Sequence, residues 1–495
     1  MSESVRVLDY KKDAVRDAIV GAFRKRSGEA APADIVAFTG LPKAQIDAEL
    51  PAVADEYDGR LKVTDSGEML YSFPNGFRSR YRGFGPSLAR FMKAFRKGAA
   101  AVGTFLFKAW IMVMLVGYFA LFIALAVLAV LASVAVSASD RNGKSRSRGG
   151  SGMLVTRLID IFIRIWFYNE VFKSPNQRRY ESQSRGRSRE DRRPLSKAIF
   201  SFVFGEPDPN ADHDAVEKRA FVALARARKG VVLLEDFMTV TGLSPDAADR
   251  AINRYLYEFE GSPEVSDNGT VYYHFPKLLL RARSDDSGAA DSPFKRLVSF
   301  SANDKKSNGW YAAINGVNLL FGSYFLYCSL AYERLAASQV TGGTYLFWFV
   351  GRLLSSFAAN PLAVMTIGLG VVPLAFSALF WAIPAIRAGR VARDNERIKA
   401  ENMRRLVYAK ALASPAALKA PEPASLPESA RPRNAAAAGA AVEQLAAYES
   451  GEPVGTDGTW RLPDLERKLG DAERLRASIR PDDYALGGIA FDSGS

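Results

Sequence analysis

The side chains that most often carry metal or nucleophilic chemistry are scarce in this 495-residue chain: two histidines, His213 and His274, and one cysteine, Cys328. One cysteine permits neither an intramolecular disulfide nor a multi-cysteine metal site, and two histidines leave little material for a zinc centre or a Ser/His/Asp triad. No phosphate-binding loop, dinucleotide fingerprint, paired-histidine metal motif or nucleophile elbow is present in the sequence. The chain reads as non-enzymatic, with no cofactor expected. What remains with suggestive spacing is charge. Arg157, Asp160 and Arg164 recur at helical intervals inside the apolar stretch 153–172 and make one polar stripe. Such a stripe belongs either to an amphipathic helix lying in a membrane interface or to a spanning helix that turns its charges into a protein interior.

The elements that would position these groups begin with a repeat. Residues 39–74 align with residues 241–276 at a constant offset of 202. Extended upstream, the gapless match holds 18 identities in the 57 positions from residue 18 to residue 74. Arg24/Arg226, Gly28/Gly230, Asp34/Asp236, Gly40/Gly242, Gly59/Gly261 and Gly67/Gly269 are among them. Each block reads as three helices followed by a hairpin, the second closing with "SDNG" before the strand "TVYYHF". That order resembles the winged-helix fold, and self-similarity at a fixed period reads as internal duplication. Asp34 and Asp236 fall at the start of a short helix, where the dipole favours an acid. The third helices, residues 42–58 and 244–260, are rich in acids, which a phosphate backbone would repel. Their acidic faces are expected to point outward, with Glu56, Asp58, Glu258 and Glu260 as candidate partner-binding residues.

Apolar segments follow each block. Residues 104–136, 308–334 and 361–387 exceed the roughly 20 residues that cross a bilayer, and 153–172 is a fourth membrane or interfacial segment. The 202-residue offset carries the first two segments toward the last two, so the repeated unit is read as soluble module plus membrane pair. Residues 77–103 form a basic juxtamembrane segment whose Arg78, Arg80, Arg82, Arg90, Lys93, Arg96 and Lys97 are candidate contacts for anionic lipid headgroups. By the positive-inside tendency, both termini and the second module face the cytoplasm. The charged N-terminus carries no apolar signal core.

The remaining divisions are module 1 over 1–76, an Arg/Ser-rich linker over 173–199, and an FVFG motif with module 2 over 200–276. A linker at 277–307, an interfacial segment at 345–358 and a basic helix at 388–410 follow. The Ala/Pro-rich tail, 411–495, is expected to be largely disordered apart from a short helix at 462–478, which could dock onto a partner or fold back.

"FSFVFGEPDPN", residues 200–210, with the adjoining block, resembles a motif of a poorly characterised integral membrane family of cyanobacteria and plastids. Some plant members are labelled iron–sulfur cluster biosynthesis proteins. The resemblance implies a membrane protein. Cluster chemistry would need cysteine ligands, and Cys328 is the only cysteine. Gly205, Pro207 and Pro209 read as a rigid turn.

These readings converge on a mainly α membrane protein with two winged-helix-like modules (three helices plus a β-hairpin) in an internal duplication and about four membrane segments. The expected role is presentation of the modules at the cytoplasmic face of a bacterial inner membrane, for protein–protein interaction or assembly. Anionic lipid and an unidentified protein are the expected partners, self-association is left open, and nucleic acid is not expected. A membrane-tethered DNA-binding regulator and a small transporter or channel component are the alternatives.

Overall fold

The computed structural model describes residues 10–25, 28–77, 102–103, 105–139, 195–282, 292–434, 436–480 and 484–493. The chain is mainly helical and divides into two compact units. The first comprises residues 1–92, 207–298 and 392–495, the second residues 93–206 and 299–391.

The first unit contains three modules that each end in a helix and a hairpin. Module 1 runs α1 (Lys12–Lys25), α2 (Pro32–Thr39), α3 (Lys43–Glu56) and the hairpin β1 (Arg60–Thr64)/β2 (Met69–Ser72), with a bridge from Ala30 to Tyr71. Module 2 runs α4 (His213–Ala227), β3 (Val231–Val232), α5 (Leu234–Thr241), α6 (Pro245–Phe259) and the hairpin β4 (Ser262–Val265)/β5 (Val271–His274). A third module starts in the last turns of the helix Val372–Ala413. It continues through β6 (Leu418–Lys419), α7 (Ala437–Tyr448) and the hairpin β7 (Glu452–Val454)/β8 (Thr459–Arg461). The sheets of modules 2 and 3 share one strand order, β3-β5-β4 and β6-β8-β7. After the third hairpin come α8 (Pro463–Ser478) and β9 (Ile489–Asp492), and β9 adds to the outer edge of β1, giving β2-β1-β9.

Local chemistry sets the short second helices. At the start of α2 the Asp34 carboxylate accepts from Ala31 N–H at 3.1 Å, and Asp236 accepts from Leu233 N–H at 3.2 Å at the start of α5. Each satisfies a donor that the first helical turn leaves orphaned. Both helices stop at a left-handed glycine, Gly40 (φ 71°) and Gly242 (φ 64°). These glycines also seat the next module: a Cβ on Gly40 would lie 2.6 Å from the Ala215 carbonyl oxygen, and one on Gly242 2.5 Å from that of Glu401. The modules thus dock head to tail. Ile19, Ile35 and Leu50, then Phe221, Phe237 and Phe259, then Val407, Val442 and Leu445 belong to one continuous core.

The tail therefore departs from the disorder expected for 411–495. Its alanine-rich α7 buries Val442, Leu445 and Ala446 against that core, and Leu418, Leu462 and Leu465 are fully covered. Low-complexity composition hid a short but regular apolar periodicity.

Three helices are long and apolar enough to cross a membrane: Phe105–Val134 and Lys305–Leu330 in the second unit, and Pro361–Ala413, which begins in the second unit, takes in the basic stretch 388–410 and ends in the first. A shorter apolar helix, Tyr345–Leu354, precedes the third. Residues 153–172, with Arg157, Asp160 and Arg164, lie outside the described residues. So do Arg78, Arg80, Arg82, Arg90, Lys93, Arg96 and Lys97, and most of the linker 173–199. The FVFG motif ends a helix, Leu195–Phe204, at Gly205 (φ 83°). There Arg387 donates to the carbonyls of Phe202 (2.8 Å), Val203 (3.3 Å) and Phe300, and lies 4.2 Å from the Phe300 ring centroid. A side chain at residue 205 would strike this guanidinium, at 2.5 Å from Nη1, which gives the motif's glycine a steric reason.

Candidate interaction surfaces

The third helices carry the expected partner-binding acids, and their placement corrects that expectation. α3 packs against α6, and α6 against α7. Lys43, on α3, reaches Asp47 at 2.7 Å and Glu260, just past α6, at 3.4 Å. The charge opposition between the two helices is relieved by this lysine, so they meet rather than both facing outward. Several of the acids point inward. Glu258 is 2% exposed and pairs with Lys218 at 2.8 Å and Arg254 at 2.7 Å, so it belongs to the module's interior. Glu49 is likewise buried, 2.6 Å from Arg16 and 3.0 Å from the Tyr10 hydroxyl. Sequence periodicity could not separate these from solvent-facing acids because their cationic partners sit on other helices. Of the four named acids, Asp58 and Glu260 are exposed and Glu56 is half-buried. Asp58 and Glu260 occupy equivalent left-handed positions (φ 54° each) at the helix ends.

The helix α8 folds back onto module 2. Its Asp471 accepts from Asn268 Nδ2 and Thr270 Oγ1, both at 2.7 Å, while Arg467 donates to Thr270 Oγ1 at 3.0 Å. One turn on, Arg476 pairs with the buried Asp236 at 2.7 Å and donates to the Val231 carbonyl. On the same helix Lys468 binds two carboxylates at once, Glu235 at 2.8 Å and Glu449 at 2.9 Å. Burial, and then the neighbouring Glu235, push the Glu449 carboxyl up to about 8 against the opposing pull of Lys468. Around neutral pH the Glu235–Glu449 pair therefore holds one proton between them. Sequence reasoning missed it, because its members lie in three distant elements.

The second unit has its own polar seam. The Asn318 amide donates to the Leu115 carbonyl at 2.8 Å, inside the π-helical turn Val113–Gly117. The Tyr118 hydroxyl donates to the Gly368 carbonyl at 2.8 Å, inside a second π-helical stretch, Val364–Val371. A π-bulge frees a backbone carbonyl, and each here is capped from a neighbouring helix. Asn315 Nδ2 donates to the Ser377 carbonyl at 3.1 Å. Among the described residues, the buried Asn315 Oδ1, Asn318 Oδ1 and Ser377 Oγ have no hydrogen-bond partner in the protein. A separate open cavity of about 570 Å³ is lined by Trp348, Arg352, Asn360 and Met365 among others. Cys328 is buried in the second apolar helix. Among the described residues no group of three or more His, Cys, Asp or Glu side chains is disposed to hold a metal ion.

Over 392 residues the chain is 24% identical to an uncharacterised chloroplastic protein of Arabidopsis thaliana, a match covering 77% of this chain and 69% of the plant protein. No family model matches the sequence. No solved structure matches it.

Proposed function

We propose that this chain is an integral membrane scaffold whose first unit, three winged-helix-like modules related by duplication, is a protein-binding platform without catalytic activity. The observation that carries the reading is the packing of α6 against both α3 and α7. In a DNA-reading winged helix the third helix enters the major groove. Here each third helix is engaged by a neighbouring module, and those of modules 1 and 2 are acidic, which disfavours phosphate contact. The plant relative's chloroplastic description, together with three apolar helices, supports a membrane of bacterial or plastid type. We place the protein in a bacterial cytoplasmic membrane with the first unit on the cytoplasmic side. Described residues of modules 1 and 2 belong to one core, and the reading therefore has an even number of crossings between them.

The test is a salt-titrated DNA-binding measurement beside photocrosslinking in native membranes. The reading expects protein adducts from the first unit and no sequence-specific DNA complex. A transporter or channel component is the second reading, favoured by the buried acceptors of Asn315, Asn318 and Ser377, since polar groups inside a membrane unit are costly. Ion or solute flux through liposomes carrying the purified chain, reduced by Asn318→Leu, would favour it over the scaffold.

A further inference from the structure

Hairpin edges expose unpaired backbone groups, and the three modules treat theirs differently. On the outer strand of module 2, Pro263 stands opposite Tyr273, and in module 3 Pro453 stands opposite Trp460. Proline removes the N–H that an added strand would need. At the matching place in module 1, opposite Tyr71, stands Leu61. Its N–H points outward and donates to Ser493 Oγ at 2.8 Å, and its carbonyl accepts from Ser493 N–H at 2.9 Å. The one module edge without a proline is the one that carries an added strand.

The added strand is held by features that define a sequence. Lys62 faces Asp492 and Val63 faces Phe491 in the antiparallel register, with Lys62 Nζ held 2.7 Å from the Glu29 carboxylate of its own module and 3.4 Å from that of Asp492. At the hairpin turn, Asp65 accepts from Gly488 N–H at 2.8 Å and donates its own N–H to the Gly488 carbonyl at 2.9 Å. A Cβ on Gly488 would lie 2.7 Å from that carboxylate, and Gly487 has φ 73°. The edge therefore selects Gly-Gly and, four residues after the second glycine, an acid. The resident side chains bury little: Ile489 is 53% and Phe491 57% exposed. Backbone bonds, hydrogen bonds through the Asp65, Ser66 and Ser493 side chains and one ion pair hold the strand, with little apolar burial, which leaves it open to displacement.

We propose that the outer edge of β1 is a strand-addition site for an extended segment of a partner protein with the pattern Gly-Gly-X-X-X-Asp, kept covered by this chain's own β9. Main-chain hydrogen bonds supply affinity in this mode, while Asp65 and Lys62 supply specificity. The resident strand competes from within the same chain, so a partner must match or exceed its fit. The proposal rests on the reading of the first unit as a protein-binding platform.

The experiment uses the full-length chain in detergent and a fluorescent synthetic peptide of residues 484–495. Gly488→Val in the chain weakens its own strand and opens the edge. The peptide is expected to bind that variant at least tenfold more tightly than it binds the unaltered chain. The same peptide with valine at the Gly488 position is expected to bind at least tenfold more weakly. Lys62→Glu in the opened chain should lose binding and regain it with a peptide carrying Asp492→Lys, a rescue that an unfolded variant cannot give. Absence of peptide binding, or equal binding by the valine peptide, overturns the site. Co-purification of tagged and untagged unaltered chains, lost in Gly488→Val, would assign the edge to a second copy and overturn the separate partner. If the peptide fails while crosslinking from Asp58 still traps a protein, this site alone falls and the platform reading stands.

Discussion

The Arg226 guanidinium of module 2 lies 3.4 Å from the Asp34 carboxylate of module 1, with both side chains almost wholly buried. Arg226 also donates to the carbonyls of Leu278 and Ala33, and Asp34 accepts from Ala31 and Ala282 N–H. The pair joins the helix start of one module to the first helix of the next. Removing one partner leaves a charge stranded in the core, which costs about 3–5 kcal/mol. Arg226→Ala should lower the stability of the first unit by that order, and the double change Arg226→Met/Asp34→Asn by clearly less. Denaturant titration of the three proteins checks this; equal losses would contradict it.

The Glu235–Glu449–Lys468 cluster makes stability depend on pH. The Glu449 carboxyl rises from an ordinary 4.5 to about 8 in the folded state, so between those values the folded chain holds a proton that the unfolded chain has released. Its contribution is complete below about pH 4.5 and fades as pH rises through 8, by on the order of 1 kcal/mol per unit. The midpoint of thermal unfolding of the first unit should fall from pH 5 to pH 8.5, and Glu449→Gln should flatten the fall. Parallel curves for the two proteins would remove the cluster from the account.

Gly40 and Gly242 each combine a left-handed backbone with a neighbouring carbonyl at the place a Cβ would occupy. Alanine at either position carries about 1–2 kcal/mol of conformational strain and also forces adjacent modules apart. Gly67, with φ 80° and open space around it, supplies the control. Gly67→Ala should show the strain without the extra loss, so thermal melts should rank Gly40→Ala and Gly242→Ala below it.

Residues 66 and 268 sit in hairpin turns of two modules that share one core. Cysteines placed at Ser66 and Asn268 should give the same pattern with a membrane-impermeant reagent in intact cells, the native Cys328 being buried. Labelling of one and protection of the other would contradict a common side.

Much of modules 1 and 2 was legible because their signals are local. Glycines at helix ends, turn residues between strands and apolar spacing repeat at a fixed offset. The third module was not recognised, although "GEPVGTDGTW", residues 451–460, repeats Gly261, Pro263, Gly269 and Thr270 of module 2 as Gly451, Pro453, Gly458 and Thr459. Its first helix is fused to an apolar segment and its second is reduced to short 3₁₀ turns, so the offset breaks down. Charge was legible as composition but not as direction. Glu258 and Glu49 read as surface acids until Lys218 and Arg16 arrive from other helices. The second roles of Asp34 and Asp236, beyond capping, depend on arginines distant in sequence, Arg226 and Arg476.

In the proposed role the first unit meets protein rather than nucleic acid at the exposed ends of its third helices. The most direct measurement places a photocrosslinking residue at Asp58 in the full-length, membrane-embedded chain and identifies what it traps by mass spectrometry. A discrete protein adduct is expected, one that disappears when Glu56 is changed to lysine while folding and membrane insertion persist. A nucleic-acid adduct, or a protein adduct unchanged by that reversal, would contradict the proposed role.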